Sequence, residues 1–281
     1  MKLATPLRYP GGKSRAMKNI SPYIDLEGVK EFRDIFVGGG SVSCYIAQNY
    51  PGIKIWINDS YEPLINFWRV LQKKPEQLIT YLINVRQSLD NISDEIDHKQ
   101  YSQRTRYARI LFYGFEKARS NKDLDPIERA AQYYILNKWS FSGLGDTFTP
   151  RAVKENFSMN GILKLYAYSS LISEWKITNM DYTRCLKKTE SSFVYADPPY
   201  DIKDFLYGEN GSTHKGFDHS RLALNLEACN SKVLISYNDN THIRDLYKDW
   251  EINSFGHTYT MRSDKEYVEN QEKRLELIIT R

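Results

Sequence analysis

Cysteine is scarce in this chain. Its 281 residues include three, Cys44, Cys185 and Cys229, and no two of them form a CxxC pair. That spacing excludes a disulfide framework and a cysteine-built zinc site, and reduced thiols fit the cytoplasm. The five histidines, His98, His214, His219, His242 and His257, show no HExxH or other ligand spacing, so no metal is expected. Long apolar runs are missing as well. None approaches the ~20 residues of a membrane-crossing helix. The opening Met1-Lys2-Leu3-Ala4-Thr5-Pro6 lacks the apolar stretch of a secretory signal. Repeats and low-complexity tracts are also absent. The expectation is a cytoplasmic globular protein with no membrane partner.

What is present is ordinary in amount and informative in arrangement. Hydrophobic residues make up 41% and charged residues 26%, enough for one large domain or a domain with a substantial insertion. The net charge of +4 and pI near 8.7 suit a polyanionic partner without requiring one. Tyrosine is abundant at 21 residues. Such rings can stack on unpaired bases, though the usual fate of an aromatic ring is the core.

Along the chain, a loop Arg8-Tyr9-Pro10-Gly11-Gly12-Lys13 precedes a helical stretch over 14–24. A short apolar strand, 32–36, runs into Gly38-Gly39-Gly40 and a helix over 41–48. A second strand, 53–57, ends at Asn58-Asp59. Strand, glycine turn, helix, strand, acid is the opening of a nucleotide-binding α/β sheet. Helical periodicity then takes over, and residues 66–164 read as a helical insertion between sheet-forming parts at 1–65 and 165–281. Strand texture returns at 175–178, 193–196 and 232–237. Residues 252–261 and 275–280 suit a closing hairpin, with a charged loop, 262–273, between them.

The sharpest signal is Asp197-Pro198-Pro199-Tyr200 at the end of a buried strand. Proline has no N–H for the ladder and fixes φ, so the pair ends the strand in a rigid turn. The turn projects a carboxylate, a backbone carbonyl and a ring from the edge where open α/β sheets bind ligands. Two adjacent acceptors can hold the two hydrogens of an amino group, and the ring can stack on a planar ligand. The plain alternative is a rigid turn and nothing more. Gly38 and its neighbours let a ligand approach the backbone without a Cβ in the way. Asp59, about 20 residues beyond the first strand, stands where an acid binds ribose hydroxyls. Gly11-Gly12-Lys13-Ser14 is not a phosphate-binding P-loop, because Leu7 replaces the required glycine and no apolar strand precedes it.

Taken together, these motifs resemble the Dam-type (alpha-ordered) DNA adenine-N6 methyltransferases. That family carries a Y/W-x-G-G-K loop, an F-x-G-G-G turn, a target-recognition insertion and a DPPY tetrapeptide, in the order found here at Tyr9–Lys13, Phe36–Gly40 and Asp197–Tyr200. The resemblance implies a Rossmann-like sheet that binds S-adenosylmethionine (SAM), with an inserted helical DNA-recognition domain. It implies methyl transfer to N6 of a flipped-out adenine in double-stranded DNA, giving S-adenosylhomocysteine. Asp197, Pro198, Pro199 and Tyr200 would form the catalytic turn. Phe36, Gly38, Gly40 and Asp59 would hold SAM, with Asp59 on its ribose. Tyr9 and Lys13 would line the methionine end, Lys13 facing the carboxylate, with Asp34 and Ser41 nearby and Asp197 close to the donor. Asp181 would accept from the SAM adenine amino group while Tyr182 packs on that ring.

Alternatives stay open at single positions. Asp34 and Asp181 suit ordinary strand-end acids, and Lys13 alone would be a surface lysine. The basic segment 104–122, with Arg104 and Arg106, suits DNA phosphates or a solvated helix face. Residues 138–151 match the family's recognition hairpin in position but are short, so a GATC target does not follow. Lys138, Arg151 and Lys154 are the basic candidates there, the last two for a guanine edge. Rival readings are a cytosine-N4 methyltransferase, an RNA amino-group or protein methyltransferase and a non-catalytic DNA-binding module; Asp in the first position of the tetrapeptide favours adenine over cytosine. A cognate restriction endonuclease is a candidate partner, and a monomer is the default state.

Overall fold

The computed structural model describes residues 2–9, 11–93, 101–200, 216–257 and 274–281. Pro10 of the first loop, the charged stretch 262–273 and the end of the preceding expected strand, 258–261, lie outside them, as do His98 and His214.

The sheet begins after a one-turn helix, α1 (Met17–Ile20), that tightens into a 3-10 turn at Ser21–Tyr23. Pro22 sits in that turn and has no N–H to continue an α-helix, which shortens the helix expected over 14–24. Strand β1 (Glu31–Asp34), helix α2 (Ser41–Asn49) and strand β2 (Lys54–Asn58) form a crossover unit, with β1 and β2 parallel and Asp34 opposite Ile57.

Among the described residues seven α-helices follow: α3 (Glu62–Lys73), α4 (Pro75–Asp90), α5 (Gln103–Ala118), α6 (Pro126–Trp139), α7 (Pro150–Glu155), α8 (Met159–Leu163) and α9 (Leu165–Leu171). Helices α3, α4, α6 and α7 carry proline in the first turn, where its missing N–H would have no partner anyway. Ser102 and Asp125 cap α5 and α6 through the Thr105 and Ile127 amides. Phe67 stacks on Tyr134 at 5.7 Å, and Trp139 meets Phe157 edge-on at 5.4 Å.

Strands β3 (Lys176–Thr178) and β4 (Ser192–Ala196), helix α10 (His219–Glu227), strand β5 (Lys232–Asn238), helix α11 (Thr241–Leu246) and the antiparallel pair β6 (Glu251–His257) and β7 (Arg274–Thr280) complete the chain. The seven-stranded order is β3-β2-β1-β4-β5-β7-β6. Every position of β4 is buried, as befits a central parallel strand covered on both faces. Val194, Ala196, Ile235, Tyr237, Leu277 and Ile279 join one core cluster with Leu222 and Leu226 of α10.

Two compact units emerge: residues 3–10 with 61–177, and residues 11–60 with 178–281. The helical unit is wider than residues 66–164. Its reach to the N-terminus has a clear cause: the Arg8 amide donates to Asn137 Oδ1 at 2.9 Å, and Asn137 Nδ2 donates back to the Arg8 carbonyl. Within the sheet, strand order reverses between β1 and β4. Such a switch point opens a crevice above the strands' carboxyl ends. Among the described residues no helix is long and apolar enough to cross a membrane.

Candidate active site

The turn after β1 bends on glycine. Gly38 and Gly40 take φ of +46° and +69°, a region in which a side chain is strained. The Gly38 amide donates to Asp59 Oδ2 at 3.2 Å, which brings the acid at the end of β2 onto the turn. Asn58, fully buried, fixes the neighbouring strand ends. Its Nδ2 donates to the Ile35 and Met180 carbonyls, and its Oδ1 accepts from the Thr178 hydroxyl and the Met180 amide.

Asp34 ends β1 on the covered side of the sheet and accepts the Ser43 hydroxyl at 2.7 Å. Burial raises its proton affinity to a pKa of about 7, partly offset by Ser43, with the charges of Asp197 and Asp59 adding to the rise. Ser41, at the start of α2, accepts the Lys13 amide at 3.2 Å.

Lys13 and Asp197 meet. The ammonium, 3% exposed, lies 2.7 Å from each carboxylate oxygen, and its third bond goes to the Gly11 carbonyl. The Asp197 side chain keeps 22% of its surface open. Desolvation raises its pKa to about 6 against the pull of Lys13; the Glu276 charge raises it further, and a bond from Tyr200 lowers it. Tyr200 is buried against Tyr237 at 6.2 Å, with the Lys13 ammonium 5.0 Å from its ring centre. Pro198 is buried and Pro199 half-buried. In the same core cluster as Tyr200, Phe36, Tyr182 and Phe217 make an aromatic wall with centroids 5.3–6.2 Å apart. Asp181 caps its own turn through the Thr183 amide and lies 3.4 Å from Arg221. Its carboxyl is held below the usual range by the Thr183 hydroxyl first, with a smaller contribution from Arg221.

One unit therefore gathers Lys13, Asp34, Phe36, Gly38, Gly40, Ser41, Asp59, Asp181, Tyr182 and Asp197–Tyr200, while half-buried Tyr9 falls in the other. In the helical unit the basic candidates separate. Arg104 donates to the Asp90 and Ile92 carbonyls, and Arg151 pairs with Glu155 on an exposed turn. Lys138 lies 5.0 Å over the Tyr134 ring, and burial with the nearby Arg8 charge lowers its pKa to about 8. Arg106 is half-buried on α5, and Lys154 is exposed on α7.

Residues 9–261 match the family model of D12 class N6 adenine-specific DNA methyltransferases. The chain belongs to that family. The methyltransferase is 28% identical to Type II methyltransferase M.MjaIII of Methanocaldococcus jannaschii over 71% of this chain and 70% of that protein. It is 27% identical to Type II methyltransferase M1.LlaDCHI of Lactococcus lactis subsp. cremoris over 90% and 87%. It is 25% identical to the DNA N-6-adenine-methyltransferase of Escherichia phage P1 over 86% of this chain and 31% of that protein. Its sheet is accordingly the Rossmann-like methyltransferase sheet, its reaction methylation of adenine N6 in DNA, and its methyl donor, by family, SAM. The residues fit that donor: a left-handed glycine turn with an acid fixed on it at the end of β2, and an aromatic wall at the end of β1, are groups that suit a ribose and a planar base.

Three contributors were not singled out from the sequence: Asn58, Ser43 and Glu276. For Glu276 a signal existed, a single acid within the apolar run Leu275-Glu276-Leu277-Ile278-Ile279.

Proposed function

We propose that the methyltransferase holds SAM over the glycine turn and the target adenine at the Asp197 turn. Phe36, Gly38 and Gly40 give close backbone approach, and Asp59 takes the ribose hydroxyls. Asp181 and Tyr182 receive the donor's adenine. Tyr9, Lys13, Asp34 and Ser41 serve the methionine end, near Asp197. When bound, SAM supplies an electrophilic methyl on a sulfonium and leaves as S-adenosylhomocysteine.

The adenine amino nitrogen is a weak nucleophile because its lone pair is delocalised into the ring. The Asp197 carboxylate and the Pro198 carbonyl accept its two hydrogens and favour the pyramidal nitrogen that attacks. Pro199 stiffens the turn, and Tyr200 stacks on a base that has left the duplex. Catalysis in this scheme comes from positioning and electrostatics. The observation that carries it is the Lys13–Asp197 contact: both carboxylate oxygens already accept N–H donors from a nitrogen group, beside the turn assigned to the donor.

The helical unit is assigned to double-stranded DNA, with Arg106, Lys138, Arg151 and Lys154 toward phosphates and base edges. Arg104 is assigned a lesser share, since its guanidinium serves backbone carbonyls. Relatives named type II methyltransferases support a cognate restriction endonuclease as partner. A cytoplasmic monomer completes the reading.

The test is incubation with methyl-labelled SAM and duplex DNA, followed by digestion to nucleosides. Label in N6-methyladenine, dependent on the duplex, supports the scheme. Label in N4-methylcytosine, or only in RNA offered as competitor, sinks it.

A further inference from the structure

Glu276 is a carboxylate set inside a sheet. It is 1% exposed, opposite Asn238 of β5 and Phe255 of β6. Directly paired residues project to the same face. The bond between the Tyr195 and Ser236 hydroxyls, 2.9 Å, marks that face on β4 and β5. Asn238 lies two residues beyond Ser236, and Asp197 two beyond Tyr195. Period-two alternation therefore puts Glu276 and Asp197 on one face at one edge of the sheet. Asp34, opposite Tyr195, shares the face. A buried charge is costly unless it is compensated or used, and here three carboxyl groups share one face, one of them on the Lys13 ammonium.

Methyl transfer to an amino group leaves a proton to place. The N6 lone pair forms the bond to the methyl carbon while the C–S electron pair stays on sulfur, and the cationic nitrogen then loses one hydrogen as a proton. We infer that Glu276 is a positioning residue acting through Asp197: its buried negative charge makes the Asp197 carboxylate the acceptor of that proton. The inference rests on the role proposed above for Asp197.

The groups facing Asp197 come from several elements: Lys13 from the first loop, Asp34 from β1, Tyr195 from β4, Tyr200 from the turn itself and Glu276 from β7. Lys13 and Tyr200 draw the proton off Asp197, and Glu276 holds it on. The resulting affinity suits a proton acceptor near neutral pH.

The experiment compares Glu276→Gln with the full-length wild type in two readouts. One is the pH dependence of the single-turnover rate at saturating SAM. The other is the titration midpoint of the Asp197 carboxyl carbon, followed by ¹³C NMR in the protein without donor. Glu276→Gln should move both the acid limb and the midpoint down by several tenths of a pH unit and lower the plateau rate severalfold. Glu276→Asp, with its carboxylate one methylene farther back, should fall between, and it serves alone should the glutamine variant fail to fold. An unmoved limb and midpoint would overturn the inference. A wild type that makes no N6-methyladenine would instead overturn the Asp197 reading on which it rests.

Discussion

The Lys13 ammonium grips the Asp197 carboxylate by both oxygens, 2.7 Å to each, across 184 residues of sequence. It thereby occupies the acceptors assigned to the target amino group. It is also the group that does most to keep a desolvated carboxyl ionised, at a pKa of about 6.

Removing that ammonium should push Asp197 toward its neutral form. Lys13→Met is expected to raise the carboxyl's pKa further, so activity that needs the carboxylate appears only at higher pH. The acid limb of the rate profile should move up by about one unit or more. A profile with its limb unmoved would show that Lys13 does not set the ionisation of Asp197.

Asp34 links the same edge to stability. Its folded pKa of about 7 lies above the ordinary carboxyl value, so the folded protein binds more protons than the unfolded chain between about pH 4 and 7. That contribution is complete below pH 4 and is lost as pH rises through 7. Asp34→Asn should flatten the fall in stability over this range by a few kcal/mol, leaving the smaller contribution of Asp197 with the same sign. Urea unfolding at pH 5 and pH 7.5 measures it; parallel pH dependence in variant and wild type would contradict it.

Arg33 pins the segment before β4. Its guanidinium donates to the carbonyls of Cys185, Lys187 and Lys188 and to Glu31, and it lies 4.8 Å over the Trp56 ring. Arg33→Met strands three carbonyls and should cost about 3 kcal/mol of stability. The methylated nucleoside should not change. An unaltered urea midpoint would contradict this account of the segment.

Gly143 illustrates the N-terminal attachment of the helical unit. Its φ is +84°, and a β-carbon there would run into the Arg8 carbonyl oxygen. Gly143→Ala should destabilise by about 2 kcal/mol or more and expose residues near Arg8 to limited proteolysis. Cleavage no faster than in wild type would refute the packing argument.

Much of this was legible in the chain because local chemistry fixes it. The apolar run before Asp197 followed by two prolines could only be a buried strand ending in a turn, and β4 ends at Ala196. Gly38, Gly40 and Asp59 were readable because a left-handed turn and a strand-end acid are local requirements. The partner of Lys13 was not readable, since it depends on how two distant loops meet at the switch point; the resemblance pointed Lys13 at the donor's carboxylate, and the structure has it on Asp197. Arg104 fits a phosphate contact by composition, yet its guanidinium reaches back to the end of α4, a distinction that composition does not carry. Glu276 required the register of β7 against β5, which alternation cannot supply when Glu276, Leu277, Ile278 and Ile279 are buried in succession.

The most direct test replaces Asp197. Asp197→Ala should keep the wild-type far-UV circular dichroism at 25 °C while its thermal transition falls, because the buried Lys13 ammonium loses its partner. It should lose N6-methyladenine formation by a factor of about 10² to 10³ or more in single turnovers at saturating SAM and duplex DNA. Methylation at a rate close to wild type, in a folded Asp197→Ala protein, would contradict the account at its centre.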